Sequence, residues 1–145
     1  MVARGLRRTA ALLGVLSAAA LPGACAVEDF IPSEGTLSAP IVLQIGVPRV
    51  GRVSGLPGTD SSFYRFTADA TRRFTIALSG NSQDLGWFLY TDPGFFTQID
   101  LCNQHRTNPA WESCTTLPTL AAGVPYYLEV HNFSFTGDVY SLLVN

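Results

Sequence analysis

The sequence contains no lysine, and acidic residues outnumber arginines over most of its length. Three of its nine arginines lie within the first eight residues, so residues 27–145 carry six arginines against eleven Asp and Glu, a formal charge of minus five. Within residues 27–145, Arg72 and Arg73 form the only basic pair. Binding to nucleic acid or to an anionic membrane depends on clustered basic residues. The composition therefore argues against both kinds of partner.

The chain also lacks the motifs of common enzyme classes. It has no G-x-S-x-G turn, no H-E-x-x-H helix and no glycine-rich phosphate loop. A carboxylate pair for glycoside hydrolysis needs a cleft, which a small domain rich in strands rarely provides. The two histidines are His105 in a predicted loop and His131 near the end of a predicted strand. We interpret His131 and Glu129 as a solvated pair and expect no catalysis.

No apolar run is long enough to span a bilayer. The uncharged stretch 9–21 has 13 residues, whereas a membrane-spanning helix needs about 20. Because it follows three arginines, it is typical of a signal peptide. Ala24-Cys25-Ala26 provides a cleavage site with small residues, which would leave Val27 as the new N-terminus. We expect residues 1–26 to be removed and the protein to be secreted or periplasmic.

Cys25 suggests lipid modification as an alternative to cleavage before Val27. It resembles the lipid-modified cysteine of bacterial lipoproteins because the small residues Gly23 and Ala24 precede it. Pro22 stands where that motif normally has an apolar residue such as leucine, and Leu21 is one place too early. The alternative to free secretion is a lipoprotein anchored at the bacterial envelope. In that case the membrane is reached only through the lipid on Cys25.

Cys102 and Cys114 are the remaining cysteines, an even pair in an oxidising compartment. We predict a disulfide between them, which would stabilise the protein by about 3 kcal/mol. It would close the segment 103–112, which has no strand pattern and is predicted to be a loop. The alternative is a metal site made by both cysteines and His105, although their spacing matches no C-x-x-C framework.

Short alternating segments separated by turn signals dominate the rest of the chain. Residues 27–39 are polar and poor in pattern, which predicts a flexible tether, and residues 40–145 form one predicted domain. No segment shows a sustained helical period. We predict an all-β fold, an antiparallel β-sandwich with jelly-roll-like connections. The predicted strands are 41–46, 49–55, 62–68, 73–79, 85–91, 98–101, 114–117, 126–132 and 139–144.

The order of six motifs resembles the bacterial pre-peptidase C-terminal domain over residues 46–145. The motifs are GRVSG at 51–55, DSSFYRF at 60–66, FTIALSG at 74–80, DLGWFLY at 84–90 with DPG at 92–94, LAAGVPYYLEV at 120–130, and GDVYSLLV at 137–144. Members of that family are small β-sandwiches attached to secreted peptidases and collagenases, where they act as binding or secretion-associated modules, and some bind calcium. The resemblance therefore implies a non-catalytic accessory role.

Two departures from the family pattern affect what the resemblance implies. The frequent acidic pair around the central strand is reduced here to Asp84, with Gly86 at the second position. This departure weakens the expectation of calcium. No catalytic domain precedes the module in this sequence, so we expect the module to act alone or with a partner.

Four aspartates in predicted turns or strand ends form a candidate calcium site. Calcium takes six to eight oxygen ligands, so these carboxylates would have to gather at one end of the sandwich. The alternative is that turns favour aspartate because its side chain accepts hydrogen bonds from nearby amides. The four residues are Asp60, Asp84, Asp92 and Asp138. No other cofactor is expected.

Aromatic residues provide the candidate ligand-binding positions. Trp111 in the predicted disulfide loop and Tyr127 on the polar face of its strand are placed to stack on sugar rings or peptide side chains; Trp111 has the alternative role of covering the disulfide. The alternation of Trp87 with leucines predicts that it lies in the core. Phe66, Phe74 and Tyr140 follow the same pattern. Phe95, Phe96, Phe133 and Phe135 are loop aromatics that close the ends of the sandwich or form a contact patch.

These observations predict an exported, non-catalytic binding module whose partner is a protein or an extracellular polymer. One alternative is a carbohydrate-binding module that uses Trp111 and Tyr127. The other is a calcium-stabilised structural or self-associating module. The fold does not discriminate among them, because sandwiches of this kind carry unrelated binding functions.

Overall fold

The computed structural model describes residues 32–104 and 110–145, with only the backbone at residues 110 and 111. The predicted signal peptide with Cys25, and His105, lie outside the described residues. The described chain forms nine strands and contains no helix that could span a membrane. The strands are β1 (Ile41–Val42), β2 (Arg49–Val53), β3 (Ser61–Thr67), β4 (Thr75–Asn81), β5 (Leu85–Tyr90), β6 (Gln98–Cys102), β7 (Ala110–Thr115), β8 (Pro125–Asn132) and β9 (Asp138–Val144).

Two sheets pack face to face, which confirms the predicted β-sandwich. One sheet has five strands in the order β1-β3-β8-β5-β6, and the other has four in the order β2-β9-β4-β7. The short pairing of β1 with β3 is parallel, and the remaining pairings between these strands are antiparallel. Side chains alternate between buried and accessible along β3 and β8, as a sheet with one face on the core requires.

The core lies between the two sheets. The sequence prediction for Trp87, Phe66, Phe74 and Tyr140 is confirmed, since all four are at most 2% exposed. Leu85 and Leu89 share the inward face of β5 with Trp87, whose indole nitrogen donates to the carbonyl of Ile76 at 3.3 Å. A polar indole nitrogen is thereby satisfied inside an apolar interior, where an unpaired donor would be costly.

A tyrosine pair crosses the core between the sheets. The hydroxyl groups of Tyr64 on β3 and Tyr140 on β9 are 2.7 Å apart. Gly51 on β2 allows this arrangement, because a Cβ there would lie 2.6 Å from the Tyr140 ring and from the Tyr64 hydroxyl. Burial raises the pKa of Tyr64 to about 12 and that of Tyr140 well above its usual value.

Seven of the predicted strands match the observed ones within two residues at each end. The first strand is shorter than predicted: β1 ends at Val42, and the chain then turns at residues 45–46, where Gly46 has φ of +78°. The prediction that 103–112 is a loop followed by a strand at 114–117 is wrong, since β7 begins at Ala110. Glu112 is an inward-facing residue of β7 and is fully buried opposite Leu78. A charged residue at a core position removed the alternation that would have indicated the strand.

The predicted disulfide between Cys102 and Cys114 is present, with the Cα atoms 6.0 Å apart. Cys102 ends β6 in the five-stranded sheet, and Cys114 lies on β7 in the four-stranded sheet. The bond therefore joins the edge strands of the two sheets. Next to it, the carboxylate of Asp100 accepts a hydrogen bond from the amide of Leu117 at 2.7 Å.

Residues 32–39 of the predicted tether lie along the edge of β3. The backbone of Glu34 makes two hydrogen bonds to β3. The Glu34 carbonyl accepts from the amide of Phe63 at 3.0 Å, and the Glu34 amide donates to the hydroxyl of Ser62 at 2.9 Å. Its carboxylate pairs with Arg49 at 3.1 Å. These contacts hold the segment against both sheets.

Candidate functional site

The outward side of the five-stranded sheet is called here the outer face. Its central strands β3, β8 and β5 are in register, so their outward side chains form rows across the sheet. In an antiparallel sheet such neighbours stand close enough to interact. The rows are Ser61–His131–Gly86, Phe63–Glu129–Phe88 and Arg65–Tyr127–Tyr90.

An aromatic cluster covers one part of the outer face. The ring of Phe95, from the loop between β5 and β6, meets the rings of Phe63, Tyr90 and Tyr127 edge to face, at centroid distances of 5.0, 5.2 and 5.6 Å. Contacts of this geometry contribute about 0.5–1.5 kcal/mol each. These four residues are called the Phe95 cluster. It places Tyr127, the ligand-binding candidate from the sequence, within an ordered aromatic layer.

The loop that carries Phe95 is held by Asp92. The carboxylate of Asp92 accepts hydrogen bonds from the amides of Gly94, Phe96 and Thr97 at 3.0, 3.2 and 2.6 Å. These bonds, the one from Thr97 above all, hold the pKa of Asp92 below its usual value. Phe95 itself has φ of +56°, a left-handed conformation that is unfavourable for a residue with a Cβ. The loop therefore accepts backbone strain to place this ring on the sheet.

A second aromatic group lies at the other end of the same rows. The ring of Phe133 is 4.7 Å from the ring of His131 and 6.3 Å from that of Phe88. Phe133 follows β8, and its amide donates to the carbonyl of Asp84 at 2.9 Å. It is 39% exposed, and Leu101 on β6, in register with Phe88, is 49% exposed. This part of the outer face is thus apolar and accessible.

Glu129 lies between the two aromatic groups. Its carboxylate accepts hydrogen bonds from the hydroxyl of Ser61 at 2.6 Å and from that of Tyr90 at 2.9 Å. His131 Nδ1 is 3.8 Å from the same carboxylate, and the Glu129 side chain is 18% exposed. Burial raises the pKa of Tyr90 above its usual value, and the hydrogen bond to Glu129 and its charge add to this. An anionic group is therefore fixed in the middle of an aromatic surface.

The arrangement of Ser61, His131 and Glu129 differs from a hydrolytic triad. In a triad the histidine lies between the carboxylate and the serine. Here Ser61 lies between them, 2.6 Å from Glu129 and 2.8 Å from His131 Nδ1. Which of Ser61 and His131 Nδ1 donates in their contact depends on the tautomer of the histidine.

A groove runs beside the outer face at the β3 edge. It has a volume of about 500 Å³ and lies between the segment 32–38 and the first residues of β3. Ser61 and Phe63 line it and also belong to the rows of the outer face. The groove and the rows of the outer face therefore share these two residues.

The four aspartates of the candidate calcium site are not gathered together. Asp60, Asp84 and Asp138 lie near one end of the sandwich, whereas Asp92 follows β5 at the opposite end. The carboxylate of Asp138 accepts hydrogen bonds from the amides of Ser82 and Gln83 at 2.7 and 2.8 Å. In residues 32–104 and 110–145, no three His, Cys, Asp or Glu side chains are grouped for metal binding. Asp92 and Asp138 instead fix the loops around them.

Trp111 and Tyr127 lie on strands of different sheets. Tyr127 is on β8 in the five-stranded sheet, and the backbone of Trp111 on β7 pairs with Ser79 in the four-stranded sheet. The structure therefore does not place the two candidates on one sheet face. The sequence analysis missed Phe63, Tyr90 and Glu129 as neighbours of Tyr127. Applying the alternation of β3 and β5 to their outward residues would have found the two aromatic ones.

No model of a known protein family matches this chain, and no curated protein sequence matches it significantly. Among solved structures it is similar to the pre-peptidase C-terminal domain of collagenase from Bacillus anthracis, with a TM-score of 0.58, 15% identity and coverage of 74% of this chain and 96% of that domain. It also aligns with PliG of Aeromonas hydrophila, a periplasmic inhibitor of g-type lysozyme, with a TM-score of 0.42, 11% identity and coverage of 73% and 96%. The first similarity supports a fold like that of the pre-peptidase C-terminal domain.

Proposed function

We propose that this chain is an exported, non-catalytic binding module that holds a protein or an extracellular polymer on the outer face of its five-stranded sheet. The observation that carries the proposal is the aromatic layer on the solvent side of that sheet. The outer face of an antiparallel sandwich is normally polar. Here the Phe95 cluster, Phe88 and Phe133 occupy it.

The order of this layer supports a role in binding. The Phe95 ring contacts three other rings and is held by a loop with backbone strain, a feature that clusters at functional sites. Rigid aromatic side chains provide contact area at a low entropy cost on binding. Hydrophobic rings that served only to fill space would not require a strained loop to hold them at the surface.

Export is part of the proposal. The disulfide between Cys102 and Cys114 suits an oxidising compartment, and the basic and apolar N-terminus suits a signal peptide. We propose cleavage before Val27, with lipidation of Cys25 as the alternative. Mass spectrometry of the exported protein distinguishes the two, because a lipidated chain begins at Cys25 and carries the mass of its acyl chains.

Retention of the purified protein on insoluble matrices tests the binding function. The matrices are collagen fibrils and several insoluble polysaccharides, each with calcium and with a chelator. Retention on fibrils alone indicates a protein ligand, and retention on a polysaccharide indicates the carbohydrate alternative. Loss of retention or of thermal stability in the chelator would favour the alternative of a calcium-stabilised module.

Phe63→Ala is the informative variant, and Phe135→Ala is its matched control. Phe63 belongs to the Phe95 cluster, whereas Phe135 lies in the loop between β8 and β9 and is 87% exposed. Phe63→Ala should reduce retention on the matrix at least tenfold, whereas Phe135→Ala should leave it unchanged. Melting temperatures of both variants show whether a loss comes from unfolding. Equal retention by the folded Phe63→Ala variant would refute the outer face as the binding surface.

A further inference from the structure

We propose that Glu129 forms a cation subsite within the outer face and takes a basic side chain, arginine or lysine, of a bound protein. This inference rests on the proposed function and specifies the chemistry of the ligand. It starts from a charge in an unusual place: a carboxylate with an 18% exposed side chain, at the centre of an aromatic surface.

The charge of Glu129 is held by neutral donors. Its two hydrogen bonds come from the hydroxyl groups of Ser61 and Tyr90. Among the described residues its ion-pair partner is His131, at 3.8 Å, which carries a charge only when protonated. The described arginines with an ion pair are Arg49 and Arg72, and both pair with other acids. Because Glu129 is largely shielded from water, its attraction for a cation is screened less than that of a surface carboxylate.

The walls around Glu129 also favour a cation. Phe63 and Phe88 are its direct neighbours on the adjacent strands, and Tyr127 is two residues before it on the same face of β8. A cation near an aromatic ring is attracted by about 0.5–2 kcal/mol, depending on desolvation. Arginine suits such a site best, since its guanidinium can stack on a ring and donate to a carboxylate at the same time.

Two further features indicate a protein ligand over a metal ion. A calcium ion needs six to eight oxygen ligands, and the described residues offer no group of three ligating side chains. The groove beside Ser61 and Phe63, with its volume of about 500 Å³, offers space for the chain that carries the basic residue. The formal charge of minus five on residues 27–145 adds long-range attraction for a basic partner.

The test uses two small probes of nearly the same shape, one charged and one neutral. Nα-acetyl-arginine amide and its uncharged isostere Nα-acetyl-citrulline amide are titrated into the isotope-labelled protein, and amide chemical shifts are followed. We expect saturable chemical shift changes in β3 and β8 near Glu129 with the arginine probe. The dissociation constant of the citrulline probe should be at least tenfold higher. Equal binding of both probes, or no saturable binding of the arginine probe, would overturn the inference. This comparison needs no variant.

Glu129→Gln supplies the second arm, because glutamine keeps the shape and an oxygen for Tyr90. Asp69→Asn is its matched control, since it removes the same charge from an exposed side chain that follows β3 and pairs with Arg72. Glu129→Gln should weaken binding of the arginine probe at least tenfold, and Asp69→Asn should leave it within twofold. Equal weakening by both would mean that net charge alone attracts the probe and would overturn the subsite.

The matrix experiment separates this inference from the proposed function. If Phe63→Ala loses retention while Glu129→Gln keeps it, the binding face stands and the cation subsite is wrong. If the wild-type protein is retained by no matrix, the proposed function fails, whatever the probe titrations show.

Discussion

Replacing Phe95 by alanine should destabilise the protein more than replacing it by glycine, which is the reverse of the usual order. Alanine removes the ring and its three edge-to-face contacts, which contribute about 0.5–1.5 kcal/mol each. We expect the free energy of unfolding to fall by about 2–4 kcal/mol. Alanine also keeps the unfavourable left-handed conformation of this residue, whose φ is +56°.

Glycine loses the same ring contacts but adopts a positive φ without strain. At most positions a glycine variant is less stable than the corresponding alanine variant, because glycine gives the unfolded chain more conformational freedom. At residue 95 the relief of strain should exceed that effect, so Phe95→Gly should be more stable than Phe95→Ala by about 1 kcal/mol.

Urea denaturation of both variants measures this difference. Phe96 provides the matched control in the same loop, since it is 89% exposed and its φ is not positive. Phe96→Ala should be at least as stable as Phe96→Gly, and both should lie close to the wild-type protein. If Phe95→Ala equals or exceeds Phe95→Gly in stability, the argument that the loop stores strain to hold this ring is refuted.

The remaining predictions concern the core, pH and the disulfide. Gly51→Ala should lower the free energy of unfolding by about 1–3 kcal/mol, because its Cβ would lie 2.6 Å from Tyr140 and from the Tyr64 hydroxyl; an unchanged urea midpoint would contradict this. Burial raises the pKa of Tyr64 to about 12. The stability that its neutral hydroxyl contributes should therefore be complete below pH about 10 and lost as pH rises through about 12. A melting temperature that stays constant over this pH range would contradict this contribution. The lowered pKa of Asp92 predicts a contribution that is present above its usual pKa and lost as pH falls through its folded value; Asp92→Asn should therefore weaken the acid dependence of stability. Reduction of the disulfide should cost about 3 kcal/mol, measured as the difference in unfolding free energy with and without reductant.

The sequence was sufficient to predict the strands whose alternation is complete. Tyr126, Leu128 and Val130 are buried on β8, as the period of two requires, and Trp87 lies in the core. β8 could be predicted because its inward positions are apolar while Glu129 and His131 occupy outward positions. β7 was not readable, because its inward position at Glu112 carries a charge.

The candidate site was predicted only in part, because it arises from register between distant strands. Tyr127 was identified from its own strand, but its neighbours Tyr90 and Phe95 come from 30 or more residues earlier in the chain. Local patterns do not indicate which outward residues of β5 and β8 face one another. The calcium interpretation depended on whether loop aspartates converge, which is also a property of the tertiary structure.

Mapping a bound ligand onto the two sheets tests the central claim most directly. A soluble fragment of whichever matrix retains the protein is titrated into the isotope-labelled protein, and amide shifts are assigned to strands. We predict that shifts concentrate on β3, β8 and β5 and on the loop of Phe95. Shifts confined to β2, β9 and β4 of the opposite sheet would contradict the assignment of the outer face as the binding surface.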